Sequence, residues 1–147
     1  MKNTIAERVA DFLKRYPPFQ FLAADSLLKI AAQIEVLYFE KDKPIFKEHD
    51  TNHAMFYVVK DGAVRVFRTV DNQPKIVDIC DEGDIFGLRP LITKEDYELS
   101  ASANEESIIY GIPIDLFLPI ALEHKEVSNF LIASFASNVS DPYSLEE

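Results

Sequence analysis

Glu82-Gly83-Asp84-Ile85-Phe86-Gly87, continued by Leu88-Arg89-Pro90 and, further on, by Ser100-Ala101-Ser102-Ala103, is the stretch that decides how this chain folds. Only 4 of 147 residues are glycine, so each one marks a backbone position that other residues occupy at a cost. Two of the four lie in this hexapeptide. A third, Gly62, follows Asp61 within Phe56-Tyr57-Val58-Val59-Lys60-Asp61-Gly62-Ala63-Val64-Arg65-Val66-Phe67, a run that predicts a strand, an Asp-Gly hairpin turn and a second strand.

Working outward, the spacing predicts further short strands over Glu35 to Phe39, Pro44 to Phe46, Ala54 to Lys60, Ala63 to Thr69, Lys75 to Cys80, Ile85 with Phe86, Leu99 to Ala103 and Ser107 to Ile112. Turn residues punctuate them at Asp42, Asp50, Asp61-Gly62, Asp71-Asn72, Glu82-Gly83 and Asn104, which suits a jelly roll or related small barrel. On the N-terminal side, Thr4-Ile5-Ala6-Glu7 has the form of a capping box, and Ile5, Val9, Phe12 and Leu13 recur at helical spacing until Pro17-Pro18. A second helix is expected from about Asp25 or Ser26, burying Leu27, Leu28, Ile30, Ala31 and Ile34. After Pro113 the helical period returns, with Leu116, Phe117, Ile120 and Ala121 on one short helix and Val127, Phe130, Leu131, Ser134, Phe135 and Asn138 on one face of another. The expected fold is mainly β, an eight-stranded roll with two helices before it and two after it. We divide it into a helical segment 1–34, a roll 35–113 with a cassette-like segment 82–103, C-terminal helices 114–139, and a tail or linker 140–147, all within one domain.

The composition narrows the function classes. Hydrophobic residues make up 48% of the chain and aromatics 12%, enough for a packed core and too much for a disordered chain. A formal net charge of -10 argues against nucleic acid and anionic membranes, because both are held by Lys and Arg neutralising phosphates. No apolar run approaches the length of a membrane span, and neither a signal peptide nor a pair of cysteines is evident, so a cytoplasmic location is expected. Cys80, the sole cysteine, closes the strand pattern Ile76-Val77-Asp78-Ile79-Cys80 and reads as a buried small hydrophobe. No catalytic triad, Walker-type loop or pair of catalytic carboxylates emerges from the spacing, so the chain is not expected to be an enzyme. The one alternative of that class is a cupin-like metalloprotein using His49, Asp50 and His53, against which the four-residue spacing of the two histidines in a turn already counts.

The element order, the glycine placement and the Phe86-Gly87 cassette together resemble the cyclic-nucleotide-binding domain family, and the resemblance covers nearly the whole chain. It implies a ligand pocket at Phe86, Gly87, Leu88, Arg89, Pro90, Tyr97, Ser100 and Ala101. In the family the Phe-Gly pair is followed by a Glu for the ribose hydroxyl and, nine residues later, by an Arg for the cyclic phosphate. Laid on that pattern without a gap, this chain has Leu88 at the Glu position and Tyr97 at the Arg position, with Glu98 beside it. Pro90 stands where a backbone N–H would point at the phosphate, and proline has none to give. The reading is therefore a non-catalytic regulatory or sensor module, part of a larger bacterial signalling protein, with cyclic AMP or cyclic GMP binding degenerate and no cofactor required. The rival reading within the family is a true cyclic nucleotide sensor in which Arg89 replaces the missing Arg. The resemblance also implies a downstream effector domain or protein as partner, and a homodimer through Val127 to Phe135.

Overall fold

The computed structural model describes the backbone of residues 4–140 and the side chains of residues 5–135. The capping-box expectation at Thr4 and the expectation of a linker beyond residue 140 lie outside the described residues. In chain order the elements are α1 (Thr4–Leu13), a 3-10 turn (Phe19–Phe21), α2 (Ala24–Ala31), β1 (Glu35–Phe39), β2 (Pro44–Phe46), β3 (Met55–Asp61), β4 (Val64–Val70), β5 (Gln73–Cys80), β6 (Ile85–Phe86), α3 (Arg89–Thr93), β7 (Ser100–Ala103), β8 (Ser107–Pro113), α4 (Ile114–Leu122) and α5 (Lys125–Ser140). Contacts divide the chain into a roll unit, Ile34–Ile114, and a helical unit built from the segments before and after it. The eight strands and flanking helices are those of the expected β-roll.

In the roll unit the strands pair antiparallel in two four-stranded sheets, ordered β1-β8-β3-β6 and β2-β7-β4-β5. Period-two alternation sets the inner face: Val64 and Val66 of β4 are buried, while Arg65 and Phe67 between and beyond them are less so. Directly across from that pair lie Ala103 and Ala101 of β7, both fully buried. Small residues opposite β-branched ones leave room inside for larger rings, and Phe46, Tyr57, Phe86 and Tyr97 occupy it together with Val59, Cys80 and Ile109.

The Asp61-Gly62 hairpin is corrected by the pairing. β3 lies in one sheet beside β8 and β6, and β4 lies in the other beside β7 and β5, so Gly62 carries the chain from sheet to sheet. The physical reason is a close approach: a Cβ on Gly62 would run into Ser107 Oγ and come within 2.6 Å of the Glu106 carbonyl oxygen, at φ +98°. The two-residue hairpin sits instead between β4 and β5, where Asp71 and Asn72 both take positive φ, 51° and 64°, and Val70 pairs with Gln73. This turn brings Gln73 and Pro74 into β5, two residues earlier than the sequence pattern indicates. Pro74 is tolerated because β5 is an edge strand. At β3 the start moves one residue later, since Ala54 has φ 58° and donates its N–H to Asn52 Oδ1 at 3.1 Å.

In the helical unit the buried stripe of α1 is Ala6, Val9, Ala10 and Leu13, an i, i+3, i+4, i+7 series with Phe12 beside it. Ile5, expected on this stripe, is 71% exposed because it falls one position outside the series. On α2, Leu27, Ile30 and Ala31 are buried while Leu28 turns outward. Phe19 and Phe117 meet edge to face with centroids 5.9 Å apart.

The Gly62 geometry yields a test of the sheet-to-sheet crossing. Gly62→Ala is expected to lower stability by about 1–3 kcal/mol, the cost of a strained non-glycine backbone, read as a lower urea midpoint. An unchanged midpoint would contradict the crossing as described.

Candidate ligand site

The cassette is built outward from β6. Phe86 pairs with Tyr57 across the sheet, and Gly87 at φ +77° turns the chain off it, where a Cβ would sit 3.1 Å from Phe46 and 3.2 Å from Tyr57. Leu88 follows, 7% exposed, and α3 begins at Arg89. Pro90 contributes no N–H, and the N–H groups of Leu91 and Ile92 both go to the Leu88 carbonyl, at 3.0 and 3.4 Å. The short helix stops at Lys94, which takes a left-handed backbone. Arg89 and Pro90 are half-buried at its first turn.

Tyr97 then enters the roll. It is 2% exposed, and its ring lies flat on Phe46 with centroids 3.9 Å apart and an interplanar angle of 5°. Its backbone is tied to the loop after β2 on both sides: His49 N–H donates to the Tyr97 carbonyl at 2.7 Å, and Tyr97 N–H donates to the Asp50 carbonyl at 3.0 Å. The phenol oxygen accepts the backbone N–H of His53 at 3.1 Å and is hydrogen-bonded to the Tyr57 hydroxyl. The Tyr57 hydroxyl also lies 2.6 Å from His53 Nδ1. Tyr97 is the acceptor of the pair: its oxygen takes both the His53 N–H and the Tyr57 O–H, which favours its ionised form, while donating raises Tyr57. Burial is the leading cause that raises both phenols above their ordinary pKa of 10.0, Tyr57 the more strongly.

Other residues singled out in the sequence separate into two faces. Ala101 is fully buried in the core of the roll. Ser100 pairs with Phe67 on the opposite face, where its Oγ accepts the Glu48 N–H at 2.9 Å. The Cys80 thiol is buried in the core, and burial, with Asp78, Asp84 and Asp81 nearby, pushes its pKa up. The cupin-like alternative loses its donor set: among the described residues no three His, Cys, Asp or Glu side chains converge as metal ligands, His53 is engaged by Tyr57, and the His49 side chain is 88% exposed. Phe46, Tyr57 and the His53 imidazole were not singled out for the site. Phe46 closes a three-residue strand and Tyr57 lies within an unbroken apolar run, so no alternation marks their inward direction.

Residues 36–124 match the cyclic nucleotide-binding domain family, and the chain belongs to that family. It is 27% identical to human cGMP-dependent protein kinase 2 over 104 residues, 69% of this chain and 14% of the kinase. The chain thus spans about one seventh of that relative's length. It superposes on the crystal structure of the Thermus thermophilus catabolite activator protein with TM-score 0.73 and 25% identity, over 87% of this chain and 60% of that one. On the regulatory subunit of a cAMP-independent protein kinase A from Trypanosoma brucei it superposes with TM-score 0.83 and 17% identity, over 97% of this chain and 52% of that one. Among the described residues no helix is long and apolar enough to cross a membrane.

The phenol network sets an alkaline limit. Tyr57 and Tyr97 keep their protons above the ordinary 10.0 in the folded chain, whereas the unfolded chain releases them near that value. The stability they contribute is whole below about pH 10 and is lost as pH rises through their folded values. Thermal midpoints should therefore fall from about pH 9 to 11, and the double variant Tyr57→Phe/Tyr97→Phe should show a shallower fall. An identical slope in both proteins would refute the assignment.

Proposed function

We propose that this chain is a non-catalytic regulatory module of the cyclic-nucleotide-binding type that keeps its own side chains where a nucleotide phosphate would be clamped, and that it serves a larger bacterial signalling protein by acting on an effector. The observation that carries this reading is Tyr97, aligned with the family's Arg, 2% exposed and stacked on Phe46. Leu88 at the position of the ribose-binding Glu is likewise buried and apolar. Leaving a buried phosphate without its counter-charge costs about 3–5 kcal/mol, roughly two to four decades of affinity. That a structural neighbour is described as a cAMP-independent kinase's regulatory subunit supports regulation through this fold without the usual ligand.

Calorimetry tests the reading. Cyclic AMP and cyclic GMP should bind with Kd of about 100 µM or weaker, and Leu88→Glu/Tyr97→Arg should tighten cyclic nucleotide binding by about tenfold or more. A Kd of a few micromolar for the unaltered chain overturns the proposal. Loss of such tight binding in Arg89→Ala would install Arg89 as the clamp.

We further propose that two copies pair through α5. Val127 and Leu131 are buried within the chain itself, while Phe130, Ser134 and Phe135 are half-buried and Ile132 is 66% exposed. A two-fold contact would use this same segment from both chains. Sedimentation at tens of micromolar should give a dimer that Phe130→Asp dissociates; a clean monomer of 16.7 kDa refutes it.

A further inference from the structure

Among the described residues one buried side-chain nitrogen has no hydrogen-bond partner, Nε of Arg68. Arg68 follows Val64 and Val66 at period two on β4, so it continues the inner face of the roll. Val66 is paired with Ala101, and the next position on that face of the neighbouring segment is Leu99, which packs against the core. Continued by one residue, the register that pairs Phe67 with Ser100 sets Arg68 opposite Leu99, two residues after Tyr97 in the chain. Arg68 as a residue is half-buried, so it is not sealed from solvent.

A structural arginine in this sheet looks different. Arg65, on the outer face of the same strand, bonds Asp42 Oδ1 at 3.0 Å and the Ala103 carbonyl at 3.1 Å. The chain carries 25 carboxylates against 15 Lys and Arg, so an unmatched guanidinium is not for want of acids. Glu48, bound to the residue after Arg68, spends Oε1 on the Thr69 N–H at 2.7 Å, and its Oε2 lies 3.9 Å from His49 Nε2. A buried donor without an acceptor is costly, and where it persists an unseen anion is a physical explanation.

We propose that Arg68 is the cationic anchor for a phosphate group bound at the inner face of the roll, taking over on β4 the charge that the cassette lacks at Tyr97. Its fork of N–H donors suits a phosphate oxygen pair. The phosphate can belong to a free anion, a phosphomonoester or a cyclic phosphodiester. The inference rests on the reading of the chain as a module with a degenerate clamp, since an intact clamp would leave Arg68 nothing to do.

The test is thermal shift and calorimetry on the whole chain with inorganic phosphate, AMP and cyclic AMP up to about 10 mM at constant ionic strength, comparing Arg68→Met and Arg68→Lys with Arg8→Met, which removes an exposed arginine of α1. Expected is a phosphate-dependent rise in Tm for the unaltered chain, a loss of affinity of about tenfold or more in Arg68→Met, partial recovery in Arg68→Lys, and no change in Arg8→Met. Arg68→Met should also raise Tm of the unliganded protein, because it removes a buried donor with no acceptor, whereas a merely structural arginine would lower it. Whichever of the three ligands shifts Tm at the lowest concentration identifies the source of the phosphate. The inference is overturned if none stabilises the chain, or if Arg68→Met binds them as well as the unaltered protein does. Micromolar cyclic AMP binding that Arg68→Met abolishes would instead sustain Arg68 and overturn only the weak-binding proposal.

Discussion

Everything in the roll is arranged around an aromatic ring laid flat on another. Tyr97 on Phe46, at 3.9 Å and 5°, brings the segment after α3 into contact with β2, and Tyr57 and Phe86 extend the stack across the other sheet. Such contacts are worth about 0.5–1.5 kcal/mol each beyond the area they bury. Their larger effect is geometric. Rings of this size set the gap between the two sheets, and the alanines of β7 are small because the rings opposite are not.

An interior of this composition also decides what charge the roll can accept. A family site built around a Glu and an Arg must keep both paired or hydrated. In the alignment we propose, Leu88 and Tyr97 take those positions, and both are buried; the Tyr97 oxygen accepts the His53 N–H, and the Tyr57 hydroxyl lies 2.6 Å from His53 Nδ1. Arg68 puts a cation on this otherwise apolar face.

Much of the architecture was legible because the strands are short, alternating and separated by residues that favour turns. β1, β2 and β6 fall where the pattern puts them, and the boundaries of the others shift by one or two residues. Where the reading went astray, the cause was long-range. Asp61-Gly62 has the local chemistry of a hairpin, yet Gly62 is glycine because Ser107 and Glu106 crowd it from a strand far along the chain. Ile5 and Leu28 are apolar and helical but lie off the buried stripes. For the site, the cassette was legible from Phe86-Gly87, while Phe46, Tyr57 and His53 were not, since their roles arise from a loop and two strands converging on Tyr97. Arg68 could have been flagged by counting two residues on from Val66, a cation on an otherwise apolar face.

The ties between Tyr97 and the loop after β2 carry a kinetic implication. The amides of His49, His53 and Tyr97 are all held by bonds that involve this one residue or its backbone. Two of these bonds are to the Tyr97 backbone and the third is to its phenol oxygen, so displacing this one residue would free all three amides together. The segment thus behaves as one cooperative opening unit, with its own free energy distinct from global unfolding. That opening would give these three amides a common exchange rate of their own, separate from the rate set by global unfolding.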